Sequence, residues 1–126
     1  MERISPEALE SIGWKIDHDD EGARVARISE EIERGFRTLA DIEPAIAIFG
    51  SARSSESSPE YATTRAVARA VAATGFNIMS GGGPGLMEAA SRGCREGGGV
   101  SVGLSIRLPQ EQRTNSFVDR ECSFRY

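Results

Sequence analysis

The chain has 126 residues, of which 39% are hydrophobic and 27% charged, with a formal net charge of -4 and a pI near 5.1. Such a chain forms one soluble domain at most, or part of one, and neither wholesale disorder nor a general attraction to nucleic acid or anionic membrane fits it. Fourteen of its fifteen basic residues are Arg, and the single Lys15 stands far from the glycine-rich centre, which excludes a pyridoxal-type Schiff base there.

Two cysteines, Cys94 and Cys122, and one histidine, His18, give neither a metal-ligand spacing nor a His-based triad. No metal and no cofactor is expected. The N-terminus lacks the pattern of a signal peptide and no stretch is long enough to span a membrane, so a cytoplasmic location is expected.

Residues 1–22 read as a polar surface arm, with a short helical turn after Ser5-Pro6, Trp14 as an anchor to the body, and an acidic run at its end. From Ala23 to Leu39 the apolar residues Val25, Ile28, Ile32, Phe36 and Leu39 recur at helical spacing, which predicts an amphipathic helix packed on a sheet or on a second subunit. Pro44 closes that segment. Ala45–Phe49 is a continuous apolar run, as expected of a parallel strand covered on both faces. Gly50, Ser51 and Arg53 follow at its carboxyl end, where open α/β sheets bind ligands.

Ser58-Pro59 is a cap followed by a first-turn proline, opening a helix whose packing stripe reads Ala62, Ala66, Val67, Ala70 and Val71 up to Gly75. Phe76–Met79 is the second strand. Gly81, Gly82, Gly83 and Gly85 come next, and Pro84 is expected to open a helix running to Glu96. Val100–Ile106 is the third strand, and Phe117–Tyr126 has strand character without a defined end. The order β-α-β-α-β with short connections predicts an α/β fold with parallel strands and right-handed crossovers.

Ten of the fourteen glycines fall between Gly75 and Gly103. A strand passing through glycines into a helix leaves backbone N–H groups at a positive helix end, where a phosphate can sit without meeting a Cβ. A plain tight turn is the competing account. No Walker lysine follows Gly85, and the dinucleotide fingerprint lacks its third glycine and its acidic partner. Glu88 either answers the helix dipole or accepts hydrogen bonds from sugar hydroxyls. Arg53 either pairs with phosphate or is solvated, and Met87 either covers a base or fills the core.

Four ordered motifs resemble the LOG (Lonely Guy) family, most closely its longer bacterial branch: Phe49–Arg53, Ser80–Ala90, Ser101–Ile106, and Leu108–Gln112 with Asn115. The resemblance runs from about Ala23 to the end. It implies a Rossmann-like parallel sheet with flanking helices, a homodimer, and hydrolysis of nucleoside 5′-monophosphates such as AMP or cytokinin ribotides to free base and ribose 5-phosphate. It also implies that Gly50, Ser51, Arg53, Gly81, Gly82, Gly83, Gly85, Met87 and Glu88 line the substrate. Many relatives carry the label lysine decarboxylase, which the missing cofactor lysine argues against.

Family members continue into an Arg-Lys-bearing helix and a Pro-Gly-Gly-x-Gly-Thr-x-x-Glu loop that supply the catalytic Arg and Glu. Neither stands in this sequence, so the resemblance implies the N-terminal portion of such a domain, cut after its third strand, weakly folded alone, and with its catalytic residues beyond Tyr126. A nucleotide- or molybdenum-cofactor-binding module without turnover is the alternative.

Overall fold

The computed structural model describes residues 5–11, 21–107 and 113–125. Trp14, most of the acidic run, and the segment 108–112 lie outside the described residues. Helices α1 (Pro6–Ser11) and α2 (Glu21–Leu39) precede strand β1 (Ala45–Ala47), followed by α3 (Pro59–Ala73), β2 (Asn77–Ser80), α4 (Leu86–Glu96), β3 (Ser101–Ile106) and β4 (Arg120–Phe124). The four strands form one parallel sheet in the order β1-β2-β3-β4. This is an α/β Rossmann-like fold. Among the described residues no helix is long and apolar enough to cross a membrane.

Two crossovers in the same direction put α3 and α4 on one face of the sheet. Their shared core is Ala68, Ala72, Ile78, Ala90 and Cys94, with Ile48 and Val71 packed against it. Small residues let the two helices touch backbone to backbone: a Cβ on Gly93 would meet the Arg65 carbonyl, and one on Gly97 would meet the Arg69 carbonyl. That contact sets the buried face of α3 as Tyr61, Ala68 and Ala72. The expected stripe is therefore rotated, and Ala62, Ala66, Val67 and Ala70 face solvent.

Helix α2 packs on the opposite face, against β4. A Cβ on Gly35 would stand 2.9 Å from the Phe124 ring, Arg34 Nη2 donates to the Ser123 carbonyl at 2.8 Å, and Glu31 accepts from the Arg125 N–H at 2.6 Å. Arg120 closes the contact by pairing with Asp41 and donating to the Thr38 carbonyl. Gly35 is the buried residue of α2, whereas Val25, Ile32 and Phe36 of the expected stripe are 63%, 45% and 74% exposed.

Three further expectations are corrected. Among the described residues β2 is the only hydrogen-bonded neighbour of β1, which is thus an edge strand, with Ile46 38% exposed. The sheet does not stop at three strands: β4 pairs with β3 from Val102↔Arg120 to Ile106↔Phe124. Pro84 lies ahead of α4, because Gly85 at φ 69 and ψ -130 is the residue that turns into the helix.

Candidate functional site

Three connections meet at the carboxyl end of the sheet. The first leaves β1 through Phe49, Gly50, Ser51 and Arg53, and the Ser51 hydroxyl accepts from the Arg53 N–H at 3.1 Å. The Ser51 carbonyl accepts the Leu86 N–H at 2.9 Å. Gly85 must approach this strand end closely, since a Cβ there would collide with the Ser51 carbonyl and with Ala52. The β1 loop thus sits directly on the start of α4.

The second connection is Gly81-Gly82-Gly83. Gly82 takes a φ of +73, its N–H donates to the Ser80 hydroxyl at 3.1 Å, and a Cβ there would lie 3.1 Å from Gly103 Cα. Glycine at both Gly82 and Gly103 lets the loop lie flat on the end of β3. No side chain caps α4; the Ser51 carbonyl takes its Leu86 N–H, and the first turn carries the positive end of the helix dipole.

The third connection runs from Arg113 to Asp119 and supplies the part the sequence hides. Asn115 Nδ2 donates to the carbonyls of Gly82 (3.1 Å) and Gly83 (2.9 Å), and its Oδ1 accepts from the Phe117 N–H at 3.0 Å. The Asn115 N–H also donates to the Gly82 carbonyl, at 2.8 Å. The glycine loop is therefore held through its carbonyls by Asn115 and through the Gly82 N–H by Ser80. Asn115 stands inside a motif of the LOG-type pattern, but nothing in its sequence neighbours shows a clamp 32 residues from Gly83.

The second and third connections, with the ends of β3 and β4, border an open cavity of about 630 Å³, within the size range of small-molecule sites. Gly81, Gly82, Gly83 and Met87 form one wall. Arg107, Arg113, Thr114 and Glu121 also line it, with Ser105 and Ser123 contributed by β3 and β4. Gly50 and Phe49 instead border a smaller apolar groove of about 190 Å³ that also touches Gly81 and Met87. Among the expected residues, the structure thus brings Gly81, Gly82, Gly83 and Met87 to the cavity and sets Gly50 beside it. Ser51, Arg53 and Gly85 belong to the strand-end contact.

Glu88 is half-buried on the first turn of α4 and accepts from the Tyr61 hydroxyl at 2.8 Å. Burial, and then the bond to Glu88, push the Tyr61 hydroxyl above its ordinary pKa. Arg92, one turn on, pairs with Glu56 at 2.5 Å and lies 5.3 Å from the centre of the Phe117 ring, tying the first and third connections to α4. Tyr61 is recognisable in the sequence only as a first-turn aromatic. Burial raises the Cys94 thiol, as fits a core residue rather than a nucleophile. Among the described residues no cluster of three or more His, Cys, Asp or Glu side chains is placed to hold a metal ion.

A parallel sheet wound through a glycine turn, with a ligand-sized cavity outside its strand ends, defines a Rossmann-like module. Residues 43–122 match the model of the SLOG cluster4 family, and the chain belongs to that family, in agreement with the LOG-type resemblance of its motifs. Among solved structures it is similar to the molybdenum cofactor carrier protein of Chlamydomonas reinhardtii, at 22% identity over 62% of this chain and 47% of that one, with a TM-score of 0.48. A second structure of that carrier matches at 25% identity over 60% and 44%, with a TM-score of 0.46. The protein TM1055 matches at 29% identity over 64% and 45%, with a TM-score of 0.48. The chain thus spans less than half the length of each. No curated protein shows significant similarity to it.

Proposed function

We propose that this chain forms one wall of a nucleoside 5′-monophosphate pocket in a LOG-type N-glycosidase. The observation that carries the proposal is the cavity itself, lined by Gly81–Gly83 and by Met87 at the start of α4 together with Arg107 and Arg113. The glycine loop and the positive end of α4 suit a phosphate, because an anion can approach the backbone there without meeting a Cβ. The two guanidinium groups add neutralising charge. In this reading Met87 covers the base, and Gly50, Ser51, Arg53 and Gly85 shape the neighbouring strand end. Glu88, whose Oε1 is held by Tyr61, keeps Oε2 for a ribose hydroxyl.

Cleavage of the glycosidic bond would pass through an oxocarbenium-like ribosyl cation attacked by water. The bond-breaking step is assigned to no described residue. A homodimer in the cytoplasm belongs to the same proposal, with the exposed stripe Val25, Ile32 and Phe36 as its candidate seam; sedimentation of wild type against Phe36→Glu tests it.

Calorimetric titration with AMP, combined with chromatography for adenine and ribose 5-phosphate, tests the central reading. Binding that Gly82→Asp abolishes supports the pocket, and release of both products supports the hydrolase. Binding without release assigns a carrier or sensor instead. Identical behaviour of wild type and Gly82→Asp overturns the pocket.

A further inference from the structure

One residue lining the cavity, Glu121, is a carboxylate that the phosphate chemistry does not use. In the β3–β4 register Gly103 faces Glu121 and Ser105 faces Ser123, so Ser105, Glu121 and Ser123 share one face of the sheet, while Leu104 and Cys122 share the other. It is the face on which α3 and α4 lie. Among the described residues neither helix reaches β4, whose only helical neighbour is α2 on the far side. The polar patch is thus open to the cavity.

Glu121 is fixed in place there. Thr114 Oγ1 donates to its Oε1 at 2.5 Å, and Ser105 Oγ lies 3.4 Å from the same oxygen. Both contacts go to Oε1, which leaves Oε2 with acceptor capacity. An ionised carboxylate only accepts hydrogen bonds and repels a phosphate. The ligand group that satisfies it is an uncharged donor, and a vicinal pair of sugar hydroxyls is such a group. Arg107, Arg113 and the glycine loop draw the phosphate, and Glu121 draws the neutral end.

We propose that Glu121, held by Thr114, reads the ribose hydroxyls of the bound nucleotide and selects ribonucleotides over 2′-deoxyribonucleotides. The inference rests on the nucleotide reading above. Glu121 is a specificity residue in this account, and unlike Glu88 it lines the cavity itself.

The test is calorimetric titration of the chain with AMP and with 2′-deoxy-AMP, on wild type and Glu121→Gln, with thermal melts to show that both are folded. Wild type is expected to bind AMP about 10- to 100-fold more tightly, the range of one hydrogen bond to a charged acceptor. Glu121→Gln should weaken AMP and leave 2′-deoxy-AMP nearly unchanged, narrowing the gap to within about threefold. A latch that merely holds the loop through Thr114 would weaken both nucleotides equally, and that result overturns the inference. Equal affinities in wild type overturn it as well, without any variant, and leave the nucleotide reading standing. Absence of binding by either nucleotide overturns both.

Discussion

Replacing Asn115 by Ala removes four side-chain hydrogen bonds at once: the two donated to the Gly82 and Gly83 carbonyls, a longer one of 3.4 Å donated to the Ser91 hydroxyl, and the one accepted from Phe117 N–H. At a net of about 0.5–1.5 kcal/mol for each of the three shorter bonds between neutral groups, the loss is about 2–4 kcal/mol. For a chain of this size that lowers Tm by about 10 °C. Asn115→Asp sharpens the test, because it keeps the acceptor facing Phe117 but points a carboxylate at two carbonyl oxygens, so it should cost at least as much as Ala. Repulsion raises that carboxyl's pKa in the folded state, so its deficit relative to wild type should be full at neutral pH and narrow as pH falls through its titration. Urea denaturation followed by circular dichroism measures both variants. A cost below about 0.5 kcal/mol for Asn115→Ala, or an Asp variant more stable than the Ala variant at pH 7, would refute the clamp.

Gly93→Ala forces a methyl into the Arg65 carbonyl, and the overpacking of α3 on α4 should cost about 1–3 kcal/mol in the same denaturation assay. Tyr61→Phe leaves the half-buried Glu88 without its 2.8 Å donor, a loss of about 1–2 kcal/mol; if Glu88 serves a ligand, nucleotide affinity should change with it. Hydrogen bonds from Arg65 and Arg120 hold the Glu96 and Asp41 carboxyls below their ordinary range. A lowered folded-state pKa means stability that is present above the unfolded value and lost as pH falls through the folded one. Tm should therefore fall as pH falls below about 4, and Arg65→Met combined with Arg120→Met should flatten that decline.

Local signals carried much of the fold. Ser58-Pro59 reads as a helix start, and the Ser58 hydroxyl indeed accepts the Tyr61 N–H at 3.2 Å. Apolar runs give β1, β2 and β3 within a residue or two, because parallel strands need little more than continuous apolarity between turn residues. β4 is harder to see: Arg120-Glu121-Cys122-Ser123-Phe124 alternates, with Cys122 and Phe124 meeting α2 and Glu121 and Ser123 meeting the cavity. The helix faces misled for a physical reason. Alanines occur all round α3, so periodicity there cannot choose between two stripes, and the choice is made by glycines on another helix. The glycine wall was legible because its conformations are local, whereas Asn115, Thr114 and Glu121 join it only through the β3–β4 pairing.

The contact between α2 and β4 has a consequence for how the chain is made. Glu31 and Arg125 are 94 positions apart, and Arg34 and Ser123 are 89 apart. At a synthesis rate of about 5–20 residues per second, α2 leaves the ribosome about 5–20 s before the strand that covers it exists. During that interval Gly35 and the flank destined for Phe124 and Cys122 lie open beside Val25, Ile32 and Phe36, so the nascent helix is amphipathic with no body to rest on. The Glu31, Arg34 and Asp41 polar contacts, each made to β4 or the residue just after it, then act as a late lock. Newly made chains should bind a chaperone at α2 until Arg125 has cleared the exit tunnel.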